Sequence, residues 1–371
     1  MGELKARLIP GVGERLADFD PDKVQPATDW PPVLITKKEI DREVQRLADE
    51  PRPSNGRRQT LFVHPSAPDP GRGLNPGVQV GLEVLKPGEE TAPVRHNSTQ
   101  VNFCIRGEGT CIAGDRTLQY GQFDVWNHPS WVTYRHRNDS SDLHVRLTYS
   151  NAALLEMMRV HLIEEDPQNT AANPANEDDA DDPRRKSPFG TIQIGDDGAM
   201  LMPYETLINP PAVESKVLFW PWQTVNENLE KLAALGKDYI GRRLYLLYNP
   251  MTGRFNGITP SFFATFTIRP PGIIDRPHRH VSSSINYYFT GSGYSVVAGQ
   301  RYDWSAGDLQ VSAPGWAVHN HASNKGDPVH ELTVQDQPLT IYMESLLWQE
   351  SMKGPKVILG TNKGFQTNRE K

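Results

Sequence analysis

Two cysteines, Cys104 and Cys111, are all that this chain of 371 residues contains, too few for a disulfide framework or a cysteine-based zinc module. Both lie in apolar, strand-like sequence around Gly107-Glu108-Gly109, so they read as buried thiols or as a pair bridging one hairpin. No stretch approaches the ~20 apolar residues of a membrane span. The N-terminus mixes charges where a signal peptide needs an apolar run, so a cytoplasmic protein without a membrane partner is expected. Lysine and arginine never gather into blocks, and the net charge is −6 with a pI near 6.0. That excludes the basic field on which nucleic-acid binding depends.

Proline and glycine, by contrast, are plentiful at 31 and 30 residues. They punctuate short segments rich in β-branched and aromatic residues, among them 78–85, 262–268, 285–289, 294–297 and Leu339-Thr-Ile-Tyr-Met343. Turn signals at intervals near ten residues predict an all-β sandwich or small barrel. The length exceeds the roughly 250 to 300 residues at which single cores stop growing, so two domains are expected.

The chain also repeats itself. Gly56-Arg57-Arg58 with the following Leu61 to Pro65 recurs as Gly241-Arg242-Arg243 with Leu244 to Pro250, 185 positions on. Arg95-His96-Asn97-Ser98 and Gly107-Glu108-Gly109 return as Arg279-His280-Val281-Ser282 and Gly291-Ser292-Gly293, and Pro129-Ser130-Trp131 as Pro314-Gly315-Trp316. A near-constant offset of 184 to 185 marks a duplicated domain. We divide the chain into a first copy at 1–165, an acidic linker or loop at 166–188 and a second copy at 189–371. A helix introduces each copy: Thr36-x-x-Glu39 is a capping box before Ile40, Val44 and Leu47, and Asn226 to Leu235 stops at Gly236. A third helix, Ala152 to Ile163, closes the first copy.

The chemistry concentrates in the second copy, in Pro277-His278-Arg279-His280, Gly291-Ser292-Gly293, Gly307-Asp308 and Pro314-Gly-Trp-Ala-Val-His319. Side chains alternate across a strand, so His278 and His280 share one face while Arg279 points away. A turn then returns His319 towards that pair. Three neutral imidazoles suit iron, zinc, copper or nickel and leave positions of the ion open.

These motifs resemble the cupin superfamily, and most closely its bicupin gentisate, salicylate and hydroxynaphthoate ring-cleaving dioxygenases. The Arg-Arg segments, Pro-His-Arg-His, Pro-x-Trp-x-x-His-x-His and Asp336-Gln-Pro338-Leu339 carry the likeness across most of the chain. The resemblance implies two tandem cupin (jelly-roll) barrels with a few peripheral helices. It also implies Fe(2+) on His278, His280 and His319, a small aromatic substrate with O2, and a homo-oligomer, a tetramer in the family. Ser284 stands where many cupins carry a ligating glutamate, which leaves a three-histidine site. In the first copy Val94 and Tyr134 stand opposite His278 and His319, so only His96 remains and that barrel reads as metal-free. His136 lies opposite His321 without completing a triad.

By the same likeness His321 takes an acid/base role beside the metal, with a ligand exchange between His319 and His321 as the competing reading. Arg242 or Arg243 corresponds to a family arginine that anchors a carboxylate, although an Arg-Arg pair in both copies equally fits a structural salt bridge. The family's usual anchoring arginine is replaced by Asn286, which we assign to substrate binding. That replacement favours a nitro-, amino- or otherwise substituted hydroxybenzoate, or a hydroquinone, over gentisate or salicylate. A non-catalytic small-molecule binder and a zinc or nickel cupin acting as isomerase or hydrolase are the alternatives.

Overall fold

Short strands, buried along nearly their whole length in the larger sheets, form a barrel of two facing sheets in each copy, and the computed structural model describes residues 30–67, 72–168, 190–194, 196–204, 216–235 and 242–358. In the first barrel one sheet runs Phe219–Trp220, Val125–His128, Gln100–Arg106, His144–Ser150, Gln79–Leu85, Arg58–Phe62. Facing it are Ile163–Glu165, Val94–His96, Tyr134–Arg137, Gly109–Ala113 and Arg116–Tyr120.

The second barrel repeats the larger sheet in the same order: Val33–Ile35, Leu309–Ala313, Ser284–Thr290, Val329–Gln335, Phe263–Arg269, Leu244–Leu246. Opposite it lie Gln300–Ser305, Ser292–Val297 and His319–Ser323, with Arg279–His280, Leu347–Gln349 and Val357–Ile358 beside them. All neighbours in these sheets are antiparallel, as the all-β reading requires.

The edge strands are exchanged between the copies. Val33–Ile35, which precedes the first barrel, pairs with Leu309–Ala313 of the second, and Phe219–Trp220, which precedes the second, pairs with Val125–His128 of the first. Each added strand covers an edge that would otherwise be open to other chains. Between the barrels one apolar core is continuous: Phe103 meets Phe266, Tyr287 and Phe289 at ring-centroid distances of 5.9, 5.7 and 5.9 Å.

The helix Lys37–Asp49 has the expected capping box and buries Ile40, Val44, Leu47 and Ala48. Its counterpart starts four residues earlier than expected, at Trp222–Ala233, because Asp124 accepts the Trp222 N–H at 2.7 Å and supplies a cap from another part of the chain. Gly236, the expected stop, lies outside the described residues, as does all of 166–188 beyond Gln168.

Two other expectations are corrected. The closing helix is only Ala152–Met157: Arg159 turns left-handed at φ 59°, and Ile163–Glu165 continues as a strand against Val94–His96. Leu339 to Met343, expected as a strand, instead forms the end of the helix Gln337–Tyr342 with Met343 as its C-cap. Pro338 in its first turn presets helical φ and lacks a donor that would go unused there, which outweighs the local β-branched run. The cysteines are both buried and unbridged.

Candidate metal centre

His278 and His319 exchange both backbone hydrogen bonds, N–H to O at 3.0 and 2.9 Å, as an isolated antiparallel bridge. That bridge brings the later strand against the earlier one, and the alternation across Arg279 adds His280 on the same face. The rings come together accordingly, with centroids 4.4 Å apart for His278 and His319, 4.8 Å for His280 and His319 and 5.8 Å for His278 and His280. One donor atom from each of the three lies within 4.8 Å of the others.

The surroundings choose which nitrogen each ring presents. Nδ1 of His278, His280 and His319 faces the carbonyls of Arg276, Ser282 and Ala317 at 3.1, 2.7 and 2.9 Å. A carbonyl only accepts, so Nδ1 carries the proton and Nε2 keeps its lone pair. Burial, reinforced by neighbouring imidazoles and Arg242, pushes His278 and His280 well below the ordinary value, and burial holds His319 at about 4. The rings are neutral donors near pH 7, the form a metal needs. The set fits a divalent first-row ion with open positions.

Trp348 stacks on His280 at 4.7 Å and 24°, locking the ring plane. His321 is not part of the cluster; its Nδ1 lies 2.8 Å from Ser295 Oγ. That hydroxyl donates to Gln310 Oε1 at 2.8 Å and accepts the Trp304 indole N–H at 2.9 Å. With its own proton committed, Ser295 takes the N–H of His321 on its remaining lone pair, so His321 also offers a bare Nε2.

A cavity of about 350 Å³ opens over the triad and is lined by His321, Arg242, Arg243 and Asn286 as well, a volume suited to one small ligand. Arg242 reaches Glu350 at 3.3 Å and lies 5.9 Å from the Trp348 ring centroid. Asn286 has its amide committed: Nδ2 donates to Thr333 at 2.9 Å, while Oδ1 accepts from Ser312 at 2.5 Å and from Ser284 at 3.3 Å.

The sequence reading missed Arg269, Asp275, Glu331 and Trp348, all of which line the cavity. Arg269 holds Glu331 through a two-pronged pair at 3.0 and 3.1 Å and reaches Asp275 at 3.4 Å. The one available signal was a charged residue in each of two strand-like segments, Arg269 at the end of Phe263–Arg269 and Glu331 within Val329–Gln335.

In the first barrel Val94 pairs with Tyr134, and His96 is fully engaged, with Nε2 at 3.0 Å from the Tyr134 hydroxyl and Nδ1 at 2.9 Å from the Ser98 carbonyl.

Fold and site thus define a two-barrel β protein with a three-histidine centre in one barrel. Residues 81–150, in the first barrel, match the cupin domain family. The chain is 28% identical over 312 residues to 1-hydroxy-2-naphthoate 1,2-dioxygenase of Nocardioides sp., covering 82% of this chain and 73% of that protein. It is 25% identical over 280 residues to 5-aminosalicylate 1,2-dioxygenase of Comamonas sp., covering 72% and 68%. Salicylate 1,2-dioxygenase from Pseudaminobacter salicylatoxidans shares the fold, with a TM-score of 0.71 at 18% identity over 88% of this chain and 90% of that one. Residues 81–150 thus carry a cupin domain, and the chain as a whole is similar to ring-cleaving dioxygenases. Among the described residues no helix is long and apolar enough to cross a membrane.

Proposed function

We propose that the protein is an Fe(II)-dependent dioxygenase that opens a hydroxylated aromatic acid, with both atoms of O2 entering the ring-opened product. The observation that carries this reading is the set of three Nε2 atoms, unused by protein hydrogen bonds, at a cavity that also holds Arg242 and Arg243. His278, His280 and His319 would hold Fe(II), which would supply Lewis-acid and one-electron chemistry for an aromatic acid and dioxygen.

The chain's own residues orient and discriminate. The carbonyl anchors on the three Nδ1 atoms and the Trp348 stack hold the imidazoles in one arrangement before substrate arrives. An all-neutral ligand shell leaves the ion's charge undiminished, which favours an anionic chelate. Arg242 or Arg243 meets the carboxylate, since a guanidinium fork matches its two oxygens. Asn286, whose amide is tied into the barrel wall, shapes the cavity wall more than it binds charge. His321 receives the phenolic proton at Nε2, while Ser295 holds its tautomer. Amino- and nitro-substituted hydroxybenzoates are the preferred candidates, because the cavity also presents the Arg269–Glu331–Asp275 group, which can meet a polar ring substituent. The barrel at 1–165 serves as the structural partner of the catalytic barrel at 189–371.

The test is anaerobic reconstitution with Fe(II), followed by oxygen-electrode assays against hydroxylated benzoates, hydroquinones and naphthoates. Oxygen uptake with loss of ring absorbance is expected for at least one substituted hydroxybenzoate. No uptake across the panel would leave a small-molecule binder as the better account.

A further inference from the structure

Tyr134 occupies the place of the third imidazole in the first barrel, its hydroxyl on His96 and its ring stacked on His128 at 3.9 Å. Beside it, Cys111, His128 and His136 each bring one donor atom within 4.8 Å of the others, and all three are fully buried. Cys111 is the cross-strand partner of His136, as Ser295 is of His321 in the other barrel. The duplication has placed a thiol where the second copy keeps a hydroxyl.

Neither ring nitrogen of His136 has a hydrogen-bond partner, and Nδ1 of His128 has none either. Each such buried group costs about 1–3 kcal/mol unless something meets it, and an ion here would meet one nitrogen of His136, while on His128 it would use Nε2. The spacing is also that of a ligand set. Cys111 Sγ lies 3.4 Å from His128 Nε2, near the about 3.6 Å that separates sulfur and nitrogen on a tetrahedral zinc ion. The His128 and His136 centroids are 5.3 Å apart, inside the range spanned by the three rings of the other barrel. In the metal-free arrangement His128 Nε2 takes the Trp126 indole N–H at 3.2 Å, a neutral bond that an ion would replace.

Charge narrows the occupant. Arg146 is wholly buried in this barrel, ion-paired with Glu83, and its field reaches both histidines. A dication on neutral donors alone would be repelled there; a thiolate offsets one of its charges. We propose that the first barrel holds a second, structural metal site in which the Cys111 thiolate, His128 and His136 bind a tetrahedral d10 ion of the zinc class. Binding displaces the thiol proton into solvent. This site is separate from the iron centre and does not depend on the reading of its chemistry.

Cobalt(II), a coloured stand-in for zinc, separates the two sites, because only the first contains sulfur. The full chain, stripped of metal and titrated anaerobically, should take up two equivalents and develop a thiolate-to-cobalt charge-transfer band. The band should persist in His280→Ala. Cys111→Ser should lose it and retain one equivalent; serine already fills the matching position at Ser295, and the retained equivalent shows that the variant folds. A wild-type chain that binds one equivalent without the band, or a band that survives Cys111→Ser, would overturn the proposal.

Discussion

Asp308, in the second barrel, accepts the backbone N–H of Lys37 at 2.6 Å, at the first turn of the helix that introduces the first barrel. Its counterpart in the repeat, Asp124, does the same for Trp222 at 2.7 Å. Each barrel therefore caps the other's helix as well as extending the other's sheet. A cap satisfies one of the helix's unused donors and sets a negative charge against the positive end of its dipole. Asp124→Ala and Asp308→Ala should each destabilise the protein by about 1–2 kcal/mol. Urea unfolding reads this directly, and unchanged midpoints in both variants would remove the caps from the account.

The metal assignment separates two histidines that the repeat makes equivalent. His278→Ala should abolish iron binding and activity, whereas His96→Ala, which loses only bonds to Tyr134 and Ser98, should keep iron near the wild-type amount. Metal analysis after anaerobic reconstitution decides; full iron in His278→Ala would move the site elsewhere.

His321→Gln should retain iron, since His321 lies outside the three-histidine group and its Nδ1 is held by Ser295. Loss of a positioned base lowers kcat by about 10²–10⁴-fold. An intact kcat would leave His321 as packing alone.

Arg242→Ala should raise KM for a carboxylated ring by roughly 10- to 100-fold, the equivalent of one charge-assisted contact of about 1.5–3 kcal/mol. A hydroquinone lacking the carboxylate should be indifferent to the change. The same pattern in Arg243→Ala instead would assign the anchor to that residue, and its absence from both would eliminate the anchor.

Asp336 gives a pH signature. Burial pushes its carboxyl up to about 6, against two bonds from Ser283 that favour the charged form. Between pH 4 and 6 the unfolded chain has released this proton while the folded chain retains it, so the residue's contribution falls as pH rises, by roughly 2–3 kcal/mol. Asp336→Asn removes the charge, keeping the Ser283 N–H bond at Oδ1 while its amide N–H donates to Ser283 Oγ. The variant should gain on wild type steadily across that window in denaturant titrations; parallel pH profiles would show that the carboxyl is not shifted.

The helix Lys37–Asp49, the strand alternation and the His278-x-His280 pair were legible in the sequence because each depends on neighbours a few residues away. Leu339 to Met343 misled for the same reason: its local β-branched run is read before Pro338 is weighed. Trp348, Arg269 and Glu331 left almost no trace, since a stacked indole and a buried ion pair are recognisable only once their strands lie side by side.

The duplication, the all-β class and the three-histidine set were therefore determined by the sequence itself, through spacing and period. Which ring nitrogen faces the cavity, which barrel caps which helix, and the meeting of Cys111 with His128 and His136 were decided by tertiary structure. Those relationships arise from barrel closure and strand register, which bring together residues that the chain keeps far apart.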